Sequence, residues 1–137
     1  MSNAQTVQDI YEAFGRGDVP AVLERLAEDV QWESWGDNTA QQAGVPWFEA
    51  QQGREGVSRF FELVGSWEIR EFSVLAIMEG GNKVAAEIVM DAVPAGGEPY
   101  RDEEMHLWDF NDEGLVTRLR HYTDTAKHMK AARVAVG

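Results

Sequence analysis

The order of the apolar patterns constrains this chain most: helical stripes come first and β-prone runs come after. Val7, Ile10, Tyr11 and Phe14 fall at i, i+3, i+4 and i+7. Val19, Val22, Leu23 and Leu26 repeat that spacing, as do Val57, Phe60, Phe61 and Val64. Each set is one apolar face of an amphipathic helix. Between the first two, Gly15 can take the left-handed conformation that ends a helix, Asp18 offers an N-cap oxygen, and Pro20 suits the first turn of the next helix. The chain therefore begins as a tight helical hairpin.

The rest reads as strands. Val30 to Trp35 is short and β-prone. Trp67 to Met78 and Val84 to Val93 flank the turn sequence Glu79-Gly80-Gly81-Asn82-Lys83, while Tyr100 to Phe110 and Leu115 to Thr123 flank Asn111-Asp112-Glu113-Gly114. Pro94 to Pro99 is a third turn, so four long strands form an antiparallel meander. Asp124 can cap a last helix reaching about Arg133, which would leave His128 on the surface. Gly36 to Gly53 is a long loop carrying Trp47 and Phe48, readable as a lid or as a packed connection. Helices followed by one sheet predict an α+β fold: a cone-shaped, curved, mainly antiparallel sheet wrapped around the N-terminal helices, with a cavity between them. No repeat or linker divides the chain, so one domain is expected over residues 1–137.

Composition narrows the function. The net charge of −12 repels phosphate and argues against nucleic acid as a partner; it also serves solubility. With no cysteine, disulfides, thiolate nucleophiles and Cys-based zinc sites are excluded. Met1 to Thr6 is polar, with no basic-then-apolar leader, and no later segment approaches a membrane span. The expectation is a cytoplasmic protein with no membrane partner.

Several spaced motifs resemble the nuclear-transport-factor-2-like (NTF2-like) superfamily, in particular its ketosteroid-isomerase-like and SnoaL-like polyketide-cyclase branch. They are Phe14-x-x-Gly17-Asp18, Leu26-Ala27-Glu28-Asp29-Val30-Gln31-Trp32, Gly53-Arg54-Glu55-Gly56-Val57 leading into Phe60-Phe61, and Gly114-Leu115-Val116 running to Tyr122-Thr123-Asp124. The likeness covers nearly the whole chain. It implies the curved-sheet cone, an internal small-molecule pocket, no cofactor and a homodimer. Position by position, the carboxylate base of ketosteroid isomerases would fall at Ser34. Their oxyanion tyrosine would fall at Ile10, with Tyr11 one step off, and their second carboxyl group at His106. The Arg and Asp of the fold's epoxide hydrolases would fall at Ala86 and Ile88, and their further Asp at His121. Neither chemistry carries over unchanged.

The same resemblance sorts the strand faces. It turns Trp32, Ser34, Ala86, Ile88 and Met90 inward, together with Glu104, His106, Trp108, Leu119, His121 and Thr123. Ala86, Ile88 and Met90 do form a uniformly apolar face opposite Glu87 and Asp91, as side-chain alternation requires. An apolar, aromatic wall with few polar groups suits a small apolar or aromatic ligand. Trp32, Ser34, Tyr11, Phe60, Ile88, Met90, Trp108, Leu119 and Thr123 are the expected binding residues. His121, Glu104 and His106 are the expected catalytic ones, because histidine moves protons near neutral pH. The plain alternative is a pair of hydrogen-bonded core histidines. A metal on two histidines and a carboxylate is the other alternative, but no HxH or HExxH spacing supports it and none is expected. If the Asn111–Gly114 turn pairs Phe110 with Leu115, Glu104 lies opposite His121 and His106 opposite Leu119. Opposed Cβ atoms are roughly 5 Å apart, within reach of a carboxylate–imidazole bond. In an enzyme, His121 would be the base, Glu104 its orienting partner and His106 a donor to an oxyanion, in an isomerisation, cyclisation or dehydration of a carbonyl or ring substrate. Non-catalytic binding of an apolar ligand, or dimerisation around a vestigial cavity, are the competing readings. Phe72, Met105, Leu107 and Tyr122 are expected on the outer face, where the dimer would form.

Overall fold

The computed structural model describes residues 2–33 and 37–134. Helix α1, Asn3–Gly15, begins where the Ser2 side chain accepts from the Gln5 N–H at 3.1 Å. It buries Val7, Ile10 and Tyr11. Gly17 then takes a φ of 72°, and Asp18 caps α2, Val19–Leu23, by accepting from Ala21 N–H at 3.2 Å. The third stripe becomes α4, Gly53–Val64. The second stripe is shorter than its spacing suggests, because Leu26 opens strand β1, Leu26–Trp32. There Leu26 pairs with Val116, and its carbonyl accepts two bonds from the Arg54 guanidinium, at 2.7 and 3.0 Å.

Strands β3 (Glu68–Gly80), β4 (Lys83–Val93), β5 (Tyr100–Phe110) and β6 (Val116–Tyr122) form the expected meander. With β1 and the short β2, Gln51–Gln52, they make one curved, unclosed sheet in the order β2-β1-β6-β5-β4-β3. Among the described strands, only β1 and β6 run parallel. The α+β cone is thus borne out. The long loop is structured: it holds α3, Thr39–Gln42, and a 3-10 turn, Pro46–Phe48, with Trp47 and Phe48 both buried. One apolar core fills the space between the helices and the sheet, and a second joins this loop to α5, Thr125–Ala131. Phe60 and Phe72 pack against both. No described helix is long and apolar enough to cross a membrane.

Three expectations need correction. In the β5–β6 hairpin, Asn111 Oδ1 accepts from Glu113 N–H and Leu115 N–H, and Phe110 pairs with Val116 rather than Leu115. A bulge comes next, because Asp109 pairs with Arg118 and leaves Thr117 without an opposite number. The two single-residue offsets add up to two, so His106, not Glu104, lies opposite His121, and Trp108 lies opposite Leu119. Side-chain alternation has period two, so the inward set stays inward. Phe72 is not on the outer face: it pairs with the inward Met90 across a twice-bulged β3–β4 ladder and packs on Tyr11 and Phe14. His128 is fully buried rather than on the surface, because α5 folds back against β5.

That return contact depends on a glycine. A Cβ on Gly97 would run into the Ala131 carbonyl oxygen at the end of α5, a backbone atom that cannot step aside cheaply. Gly97→Ala is expected to destabilise the fold by about 1–3 kcal/mol, read as a lower melting temperature. Gly15→Ala, with open space around the added atom, should leave the melting temperature unchanged or raise it.

Candidate functional site

The cavity lies inside the cone, with a volume near 80 Å³. Aromatic rings dominate its wall. Tyr11, Trp32, Phe60 and Trp108, expected there, line it with Met90 and Leu119. Ile88, also expected, is fully buried in the core but is not on the wall, and Thr123 does not reach it. Ser34 lies outside the described residues. Phe14, Trp47, Phe61, Trp67, Phe72 and Tyr100 add to the aromatic lining, and alternation along strands could not reveal those on loops.

At one end the wall turns polar. Glu104, His106 and His121 meet there as expected: Glu104 Oε1 is 2.8 Å from His121 Nε2 and 3.4 Å from His106 Nε2. A fourth polar residue was not foreseen. Strand β1 ends at Trp32, and Glu33 takes a left-handed φ of 58°. For a non-glycine residue that costs roughly 1–2 kcal/mol. It breaks the alternation, so two successive side chains, Trp32 and Glu33, face the cavity. Glu33 N–H bonds to the Leu119 carbonyl at 3.0 Å, and Glu33 Oε1 comes within 3.3 Å of His121 Nδ1. The sole hint in the sequence was a carboxylate beside Ser34.

Hydrogen-bond chemistry fixes most of the protons. The Trp108 indole can only donate, and it reaches the Tyr11 hydroxyl at 3.1 Å. The hydroxyl is then free to donate to His106 Nδ1, 2.7 Å away. That leaves the His106 proton on Nε2, facing Glu104. Burial pushes the His106 pKa down, with the charge of His121 helping and Glu104 opposing, so the ring is neutral. Likewise Trp47 donates to His128 Nδ1 at 2.9 Å, so the His128 proton sits on Nε2. It is aimed at Asp102 Oδ2, 3.0 Å away. Glu104 Oε2 lies 3.2 Å from the same nitrogen yet receives no aligned hydrogen bond.

His121 differs from both, because each of its nitrogens faces a carboxylate. Burial would strip its second proton, but Glu104 and then Glu33 more than reverse that and hold its pKa well above the ordinary histidine value. Burial alone would also push Glu104 up, but the His121 charge and the surrounding ring N–H groups hold it well below the carboxylate range. The imidazolium stacks on Phe48, with ring centroids 5.5 Å apart at 22°.

Donor atoms of Glu104, His121 and His128 lie within 4.8 Å of one another, close enough to suggest a metal. The protons argue against it. A metal-bound histidine gives its other N–H to an acceptor, whereas His128 Nδ1 receives an N–H from Trp47. With Nδ1 occupied and Nε2 protonated, that ring has no lone pair for an ion.

A family profile described as a SnoaL-like domain matches residues 7–119. An NTF2-like protein of unknown function from Burkholderia pseudomallei K96243 shares 27% identity over 96% of this chain and 98% of its own, with a TM-score of 0.77. A candidate polyketide cyclase from Xanthomonas campestris pv. campestris shares 26% over 96% and 99%, with a TM-score of 0.68. TerC, co-crystallised with polyporic acid, has a TM-score of 0.73 at 20% identity over 96% and 98%, and at that identity the likeness is one of fold. No curated protein matches the sequence.

The paired charges make stability depend on pH. A histidine whose folded pKa lies above its unfolded value stabilises fully below about 6.5. That contribution is lost as pH rises through the folded pKa. His106 is neutral in both states above pH 6.5 and does not interfere. The melting temperature is expected to fall above about pH 6.5, with up to roughly 1.4 kcal/mol lost per pH unit. In Glu104→Gln, thermal denaturation across the same range should show a shallower fall, since the His121 pKa would drop.

Proposed function

We propose that this chain, as a member of the SnoaL-like family, binds a small carbonyl or ring compound in its aromatic cavity and transfers a proton on it. The observation that carries the reading is the sequence Glu33–His121–Glu104 on the cavity wall. It sets a carboxylate, an imidazolium and a second carboxylate in contact, in a space that otherwise offers aromatic and aliphatic surface.

The placement of the protons supports one division of roles. A ring held as imidazolium cannot take a proton, so His121 is assigned as donor and the base falls to Glu33. Glu33 removes a proton from the carbon beside the carbonyl, and the freed electron pair moves onto the carbonyl oxygen. The His121 charge stabilises that oxyanion, and the Glu33 proton returns to another carbon to complete an isomerisation. Glu104 keeps His121 charged, and His106, tied to Tyr11, steadies Glu104. The indole N–H of Trp32 is buried without a partner, a donor that a substrate oxygen would satisfy. The volume near 80 Å³ is well below the roughly 300–1,000 Å³ of sites for drug-sized ligands. It suits a molecule of a few heavy atoms, or one end of a larger one. Non-catalytic binding is the second reading, favoured by this small volume.

We further propose a cytoplasmic homodimer through the outer sheet face, where Met105 is 37% exposed beside the half-buried Leu107 and Tyr122. Sedimentation at micromolar concentration should give the dimer mass; a monomer would overturn this.

Catalysis is tested with acetone and cyclopent-2-enone in deuterated water, following loss of the α-proton signal by NMR. The protein should speed exchange about 10²–10⁴-fold over buffer, and Glu33→Gln should remove most of that gain. Probe binding without faster exchange would leave the binding reading instead.

A further inference from the structure

The charges around the cavity do not balance. Glu33, Asp102 and Glu104 are 3%, 2% and 4% exposed. Glu33 and Glu104 line the cavity and, as carboxylates, outnumber the one cationic side chain on its wall, His121, by one; Asp102 lies behind the wall, bonded to His128 and to the Asp124 N–H. His106 and His128 cannot make up the difference, since each Nδ1 accepts a hydrogen bond, from Tyr11 and Trp47 respectively. Among the described residues, no lysine or arginine lines the cavity. Buried charge left without a partner is costly. Glu104 Oε2, on a residue of the wall, is buried with no aligned donor.

The remainder of the wall suits one kind of counter-charge. An inorganic ion needs oxygen or nitrogen ligands all round, and indole and phenyl faces supply none. Those same faces attract weakly hydrated organic cations through their negative π surfaces. Trp32, Trp47, Trp67 and Trp108 all line the cavity.

We infer that the cavity selects a small organic cation, a protonated or methylated amine, with the nitrogen held between the Glu33–Glu104 end and the indole faces. This rests on the reading of the cavity as a ligand site and narrows it: the carbonyl or ring compound also carries a positive nitrogen. Anionic substrates are disfavoured by the same excess of negative charge.

Three probes of matched size separate the possibilities: trimethylammonium, isopropanol and acetate, titrated at constant ionic strength into the unaltered protein while the indole N–H signals are followed by NMR. Trimethylammonium should bind about tenfold more tightly than isopropanol, and acetate should not compete. In Glu33→Gln, checked for folding by circular dichroism, the preference should shrink to less than about threefold. Equal binding of trimethylammonium and isopropanol, or tighter binding of acetate, overturns the cation inference and leaves the ligand site standing. If no probe shifts the cavity tryptophans, the ligand-site reading itself fails.

Discussion

A carboxylate taken out of water must recover its lost hydrogen bonds from the protein, and Glu104 recovers those of one oxygen through rings on β5 and β6, with the His128 ring of α5 3.2 Å from the other. That requirement organises much of the interior. His106 carries it to Tyr11 and so to α1. His128 carries it to Trp47, which fastens the 37–52 connection and α5 to the same point. His121 carries it to Glu33 at the end of β1. Elements already packed in the two apolar cores are thereby also joined by directional contacts, which fix distances more tightly than burial alone.

The network is also asymmetric in charge. Tyr11 and Trp47 each place a donor on one nitrogen of their histidine, whereas both nitrogens of His121 lie beside carboxylates. Identical side chains thus acquire different chemistry from their neighbours, with Trp47 and Tyr11 acting as selectors although neither is acidic or basic at working pH. Burial pushes the Tyr11 pKa up, so its hydroxyl keeps the proton it lends to His106. The family fold supplies the cone and the cavity, while these neighbours set which ring nitrogens carry protons around it.

The fold was legible because its signals were periodic. Val7, Ile10 and Tyr11, or Ala86, Ile88 and Met90, repeat at the spacing their element requires, and turn residues mark the joints. Glu104, His106 and His121 were legible for the same reason. Failures came where periodicity stops. Glu33 was overlooked because a left-handed residue resets the alternation just past β1, and no composition rule foretells that for glutamate. His128 was misplaced because the weak stripe of α5 gives no hint of the donors waiting for its ring. The positions that motif spacing selects, Ser34 and Ile10, each lie one residue from a side chain on the cavity wall, Glu33 and Tyr11. Motif spacing aligns backbones, whereas a functional side chain is defined by where its tip arrives.

The paired offsets in the β5–β6 hairpin bear on how such a chain can change length. The turn contributes one step and the Thr117 bulge another, and only their sum keeps Leu119 and His121 pointing into the cone. Loss or gain of a single codon between Asn111 and Thr117 would rotate the remainder of β6 by half a turn, exposing Leu119 and swinging His121 away from Glu104. Two such changes together, or none, preserve the interior. Length variation in this hairpin should therefore be quantised in even steps, even though the turn itself sits at the surface, where insertions are ordinarily harmless.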